Sequence, residues 1–217
     1  MIIDLHLNGK TVVVLGAGNE ALKRIKLLEN EDCQIIVLGH KPHSTIEKLA
    51  KQRKITLKKI KVISTNFIKN YKPFLIIAST SDSLLNQKII QTAKKMKILA
   101  YASDSPDLSD ISYLSQIDIG GTIKVGISTS GASPIMAKKI KSKAETLLGK
   151  VITENDLQLI KLQKFARTES KKYIATQPER KKFLYAIMND KRVKELLKDG
   201  KYMRIRTVIK KMVKDWE

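Results

Sequence analysis

Thr11-Val12-Val13-Val14-Leu15-Gly16-Ala17-Gly18-Asn19-Glu20-Ala21-Leu22-Lys23-Arg24 is the stretch on which the reading of this chain turns. An unbroken β-branched and aliphatic run passes directly into Gly-x-Gly-x-x-Ala and then into a charged segment of helical character. A strand that is apolar on both faces belongs in the middle of a parallel sheet. The glycine turn brings the backbone close to a pyrophosphate, and the following helix offers free N–H groups and the positive end of its dipole. In this reading Gly16 makes the turn, Gly18 admits the phosphates and Ala21 lets the helix lie close to the strand. A glycine turn in some other α/β protein is the competing reading. The strand before the turn and the helix after it favour a dinucleotide site.

Working outward, residues 34–38 read as a second strand, which ends in Leu38-Gly39-His40-Lys41. A typical NAD site places a carboxylate here for the ribose hydroxyls. None is present, and Lys41 is suited to a 2′-phosphate. Residues 44–52 read as a short helix. Residues 55–63 read as an irregular basic strand, with Lys54, Lys58, Lys59 and Lys61 on a solvated face. Phe74-Leu75-Ile76-Ile77-Ala78 is a further buried strand, and Ser79-Thr80-Ser81-Asp82 follows it at the end where open α/β sheets hold their ligands. A helix over 86–95 and a strand over 98–102 complete a β-α-β-α-β-β-α-β order, a doubly wound domain that ends near residue 112. The last strand runs into Ser103-Asp104-Ser105-Pro106. Asp104 is placed either to take a proton and orient a substrate or to open an Asx turn into Pro106, and position alone leaves these even.

Gly120-Gly121 and the alternating run Thr122-Ile123-Lys124-Val125-Gly126-Ile127-Ser128-Thr129 read as a turn and a strand. Ser130-Gly131-Ala132-Ser133-Pro134 then opens a helix to about residue 148, with Ser133 as N-cap and Pro134 as its first residue. Met136, Ile140, Ala144 and Leu147 share one face of it. A polar glycine turn at a helix start is able to bind a ligand carboxylate, which makes Ser128, Ser130, Gly131 and Ser133 candidate substrate contacts. It is equally a well-capped helix. From residue 153 the pattern is helical to the end, with a capping box at Thr176-Gln177-Pro178-Glu179 and a stop at Gly200. Tyr202, Ile205, Val208, Ile209, Met212 and Trp216 form an apolar stripe suited to core or subunit contact.

Composition bounds the function. The 217 residues allow one or two domains with a real core, and 42% hydrophobic residues fits a globular chain. No apolar run reaches the roughly 20 residues of a membrane span, and Met1-Ile2-Ile3-Asp4-Leu5 carries no signal-like pattern, so a cytoplasmic protein is expected. A lone cysteine, Cys33, excludes an internal disulfide and a cysteine-rich metal site, and it reads as a small buried side chain. His6, His40 and His43 lack ligand spacing, so no resident metal is expected. Lys+Arg of 42 against Asp+Glu of 21 gives +21, which favours capture of polyanions: nucleic acid, acidic membranes or a polycarboxylate ligand.

The order of motifs resembles one small family. A glycine turn after the first strand, a strand ending in Asp104-Ser105-Pro106, and Ile127-Ser128-Thr129-Ser130-Gly131-Ala132-Ser133-Pro134 opening a helix look like precorrin-2 dehydrogenase. This is the N-terminal module of siroheme synthase, in some members also a sirohydrochlorin ferrochelatase. The likeness runs from about residue 5 to 148. It implies an α/β chain with a Rossmann-like NAD-binding domain over 1–112, a small strand–helix dimerisation segment over 113–149 and an α-helical region over 150–217. It implies oxidation of precorrin-2 to sirohydrochlorin with NAD as hydride acceptor, a homodimer, and Asp104 as the key acidic group. In bifunctional members ferrous iron is a further substrate. The nucleotide contacts implied are Asn19 and Glu20 after the glycine turn and His40 and Lys41 after the second strand. Gly16, Gly18, Ser79 and Thr80 complete the candidate cofactor site. A polycarboxylate tetrapyrrole also suits a strongly basic chain. The sequence departs from the family at Tyr101, usually Asn, at Ile111-Ser112-Tyr113-Leu114, usually Phe-x-x-Pro-like, and at Ala17 within the glycine motif. A different class, a nucleotide-sensing regulator that binds nucleic acid through the basic C-terminal helices, lacks any arrangement of base-reading residues there.

Overall fold

The computed structural model describes residues 2–216. The chain divides between Tyr113 and Leu114 into two compact units.

The first unit is built on β1 (Thr11–Leu15), whose five residues pair in parallel with β2 (Gln34–Leu38) on one side and with β4 (Leu75–Ala78) on the other. β3 (Thr56–Lys58) and β5 (Leu99–Ala102) flank these, giving the parallel order β3-β2-β1-β4-β5. The side-chain period of two explains the unbroken apolar run. Val12 and Val14 enter one core with Ile35, Val37, Leu75 and Ile77, beneath α1 (Asn19–Leu28) and α2 (Ser44–Lys51). Val13 and Leu15 enter the opposite core with Ile36, Leu38, Ile76 and Ala78, beneath α3 (Phe67–Tyr71) and α4 (Ser83–Lys95). All four valine and leucine side chains of β1 are fully buried. The chain builds outward from β1 to β3 and then returns to β4, so the strand order reverses between β1 and β4. Open α/β sheets hold ligands at that point.

Three expectations need correction here. The basic strand expected over 55–63 is ordered as a strand only at Thr56–Lys58, an exposed edge in which Leu57 alone is half-buried. A short helix, α3, stands between β3 and β4, so the element order is β-α-β-α-β-α-β-α-β. Helix α4 begins at Ser83, three residues earlier than expected, because the Asp82 carboxylate accepts the Leu85 N–H at 2.9 Å and caps it.

The second unit opens with an antiparallel hairpin, β6 (Ser115–Ile119) and β7 (Ile123–Ile127). Only the second of these strands was expected. Helix α5 (Pro134–Val151) follows, with the Ser133 hydroxyl accepting the Met136 N–H at 3.2 Å as the sequence implied. Helices α6 (Glu154–Tyr173), α7 (Gln177–Asn189), α8 (Lys191–Lys198) and α9 (Tyr202–Lys214) enclose a core of Leu162, Ala166, Phe183, Ile187, Val193, Ile205, Ile209 and Val213. The apolar stripe of α9 is therefore core, and Trp216 meets Phe183 edge-on at 5.1 Å. At α7 the Thr176 hydroxyl accepts the Glu179 N–H, while the Glu179 carboxylate is taken by Lys182 at 2.8 Å. The reciprocal box forms instead at α6, between Thr153 and Asp156.

Candidate functional site

The glycine turn is shaped by the strand beside it. Gly16 has φ +92°, and a Cβ there would lie 2.3 Å from the Ser79 carbonyl oxygen. Glycine is required on both counts. Gly39, at the end of β2, approaches as closely: a Cβ would come within 2.5 Å of Ala17 Cβ. Gly18 is different. It has ordinary φ, and an added Cβ would meet nothing within 4 Å. Gly18 is also the N-cap of α1 and supplies no side chain to cap it. The first N–H groups of α1 therefore face outward with the positive helix end, into space that a side chain at Gly18 would fill. Ala21 is fully buried, as close packing of α1 on the sheet requires.

Gly16, Gly18, Asn19, Glu20, His40, Lys41, Ser79 and Thr80 all line one crevice of about 710 Å³ at the carboxyl ends of β1, β2 and β4. The sequence scattered these residues over some 65 positions, and the topology gathers them. Its walls fit a dinucleotide in offering open backbone amides where phosphates would lie, and at the end of β2 they present His40 and Lys41 in place of the usual carboxylate. Lys61, expected on a solvated face, also lines it beside Val62. The Glu20 carboxylate is held by the Lys23 ammonium, which keeps its pKa below the usual value. Ser79 is tied down, its hydroxyl donating to the Leu15 carbonyl at 2.8 Å. His43 plays a structural part. Its backbone N–H donates to the Ala17 carbonyl, and its Nδ1 accepts the Thr45 N–H at 3.0 Å to cap α2.

Asp104 stands at the tip of β5, exposed, with one carboxylate oxygen accepting from the Ser83 hydroxyl at 2.6 Å and from the Asn86 amide at 3.0 Å. Partial burial pushes its pKa up; the two donors outweigh that and hold it below the ordinary carboxylate value. Asp104 is thus an anion at neutral pH. Ser83 and Asn86 were missed as site residues. They lie three apart on the first turn of α4 and so share a face. Recognising Asp82 as an N-cap would have placed both beneath the strand tips.

Behind β5 lies a second feature. Arg24 donates to the Tyr101 hydroxyl at 2.8 Å, and its guanidinium lies over the rings of Tyr101 and Tyr113, 4.9 and 4.3 Å from their centroids. The two rings meet edge-on at 4.8 Å. Burial pushes the Tyr113 hydroxyl up to about 12. Burial also raises Tyr101, the nearby Arg24 opposes it, and Glu20 and Asp104 add to the rise. Both tyrosines remain neutral, so the cluster holds a fixed cation by dispersion and ring electrostatics.

Ser128, Ser130, Gly131 and Ser133 belong to the second unit, in the turn that opens α5. Ser130 and Gly131 have φ of +50° and +83°. The Ser128 hydroxyl accepts the Ser130 N–H at 3.1 Å, the Thr129 hydroxyl accepts the Ser133 N–H at 3.1 Å, and the Ser133 hydroxyl caps α5. Within this unit those hydroxyls maintain the turn. Cys33 is half-buried against the first core, not fully enclosed. Among the described residues no group of three or more His, Cys, Asp or Glu is placed to hold a metal ion, and no helix is long and apolar enough to cross a membrane.

Comparison with known proteins places the family and the fold. Residues 3–115 match the family described as "Putative NAD(P)-binding". A siroheme synthase of Nitrosococcus oceani is 30% identical over 146 residues, which is 67% of this chain and 30% of that protein. A precorrin-2 dehydrogenase of Bacillus subtilis is 29% identical over 146 residues, covering 67% of this chain and 87% of that one. The chain thus spans less than a third of the siroheme synthase and most of the dehydrogenase. The solved structure of SirC, precorrin-2 dehydrogenase, shares the fold at a TM-score of 0.67 with 24% identity, covering 97% of this chain and 99% of that one.

Proposed function

This chain belongs to the NAD(P)-binding family of precorrin-2 dehydrogenases and siroheme synthases, and we propose from that premise that it oxidises precorrin-2 to sirohydrochlorin with NAD. The observation that carries the reading is an ionised carboxylate, Asp104, fixed by Ser83 and Asn86 beside a crevice that presents uncapped helix amides to a pyrophosphate. Oxidation removes two electrons and two hydrogens from the macrocycle. When bound, the nicotinamide supplies the acceptor for one hydrogen as hydride; the other leaves as a proton. Asp104 is the base for that proton. Its low pKa makes it a modest base that is always in the correct form, so its contribution is position and charge more than proton affinity. Lys41 and Lys61 at the crevice, and the excess of cations over the chain, favour approach of an anionic nucleotide and a polycarboxylate substrate.

We assign NAD as the cofactor, precorrin-2 as the small-molecule partner, and a homodimer as the assembly, with residues 113–149 as the contact segment. Helix α5 supports the last point: Met136, Ile140, Leu147 and Val151 are 45%, 42%, 63% and 72% exposed within one chain. An apolar face of that length suits contact with a second copy. Ferrous iron insertion is the further step to be tried: Asp104 offers an oxygen ligand and a proton acceptor, with iron as substrate. The test is anaerobic incubation of the purified chain with precorrin-2 and NAD, then with NADP in its place, then with ferrous iron added. Sirohydrochlorin appearing in step with NADH supports the reading. Nucleotide binding without turnover of the macrocycle overturns it.

A further inference from the structure

Asn86 is fully buried, and its carboxamide is fully used. Its oxygen accepts from the Thr80 hydroxyl at 2.7 Å and the Thr80 N–H at 3.3 Å. Its nitrogen donates to the Thr80 carbonyl at 3.1 Å and to the Asp104 carboxylate at 3.0 Å. The orientation is chemically determined. Rotating the amide by half a turn would set NH₂ against the Thr80 N–H, and oxygen against a carbonyl and a carboxylate. Thr80 lines the nucleotide crevice at the end of β4, and Asp104 stands at the end of β5. No hydrogen bond between Thr80 and Asp104 is needed to join these loops, because one side chain from α4 holds both.

We propose that Asn86 is a positioning residue that ties the nucleotide crevice to Asp104, so that the cofactor loop and the working carboxylate are set by a single buried carboxamide. The inference rests on the dehydrogenase reading for the role of Asp104, and on geometry alone for the tie. A buried amide with every group paired has one low-energy arrangement, and displacing either partner leaves an unpaired polar group in the interior. Ser83, by contrast, is exposed and touches Asp104 without touching Thr80. Asn86 therefore serves two loops where Ser83 serves one.

That difference makes the tie testable without the tetrapyrrole. The probes are NADH fluorescence for nucleotide affinity and ¹³C-carboxyl NMR titration of the full chain for Asp104, assigned with Asp104→Asn. Ser83→Ala should raise the Asp104 titration and leave the NADH dissociation constant unchanged. Asn86→Ala should raise the titration and also weaken NADH about tenfold, the loss expected from one hydrogen bond in a buried network. If that variant fails to fold, Asn86→Asp is close in shape. As a neutral carboxylic acid it keeps an acceptor toward Thr80 and one O–H to share between the Thr80 carbonyl and Asp104, so the titration should rise with a smaller change in NADH affinity. Rescue of NADH affinity in Asn86→Asp relative to Asn86→Ala is a result that a merely structural role would not give. A folded Asn86 variant that leaves either the Asp104 titration or the NADH affinity of Asn86→Ala unmoved overturns the tie. A wild-type chain that binds neither NADH nor NADPH overturns the dehydrogenase reading first, and the tie with it.

Discussion

Gly16 and Gly18 lie two residues apart in one turn, yet different forces require glycine at each. At Gly16 the protein itself demands it, through a positive φ and the Ser79 carbonyl; at Gly18 the surrounding space is open. Gly16→Ala should therefore destabilise the fold by about 2 kcal/mol or more, read as a fall in denaturation midpoint. Gly18→Asp should leave stability unchanged or slightly higher, because the carboxylate caps α1 and favours its dipole. The same carboxylate should repel the nucleotide and raise its dissociation constant at least about tenfold. A second residue-scale prediction concerns pH. Burial pushes the Asp104 pKa up, and its donors more than compensate, so its folded pKa lies below the unfolded one. Its contribution to stability is then present above the unfolded pKa and is lost as pH falls through the folded one. By the same sign, kcat/KM should show no acid limb from Asp104 down to the ordinary carboxylate range. A limb near pH 6 that disappears in Asp104→Asn would contradict the ionised state. Gly16, Gly18, Ser79 and Thr80 were legible because a glycine turn and a polar strand end have local signatures, whereas Asn19, Glu20 and His40 came from the family resemblance. Asn86 was not legible, because a buried amide on a helix looks like any other until its partners are known.

At the scale of elements, strands β1, β2 and β4 were readable because burial on both faces leaves an unbroken apolar run. The elements that escaped are short or weakly patterned. Helix α3 has five residues, too few for a 3.6-residue period to show. β6, Ser115–Ile119, buries only Ile117 fully, so its alternation is faint. Its pairing with β7 supplies what its own sequence lacks. Capping decided several boundaries. The reciprocal box at α6, with the Asp156 carboxylate accepting the Thr153 N–H at 2.8 Å, fixes that helix start. Thr153→Ala should cost about 1 kcal/mol of stability, measured by chemical denaturation, without changing nucleotide affinity. An unchanged midpoint would show that packing on the adjoining hairpin, where Gly120 closely approaches Leu157, holds the start alone.

For the whole molecule, the chain forms two compact units that divide between Tyr113 and Leu114, where the sequence reading drew three segments, 1–112, 113–149 and 150–217; the proposed homodimer rests on an exposed face of α5. Helix α5 has 18 residues and Ala137 as its buried one, while its apolar row faces outward. Its charge pattern gave no hint that the row would stay uncovered within one chain. Ile140→Asp with Leu147→Asp should convert a dimer to a monomer in sedimentation analysis, and a wild-type chain that sediments as a monomer would remove the assigned contact. The claim on which all else depends is that Asp104 acts on a substrate beside a bound nicotinamide nucleotide. The direct measurement is anaerobic turnover of precorrin-2 with NAD by wild type and Asp104→Asn, each first shown to bind NADH equally. The account predicts coupled formation of sirohydrochlorin and NADH by the wild type, and a loss of at least about a hundredfold in the variant. Equal rates in the two proteins would contradict it.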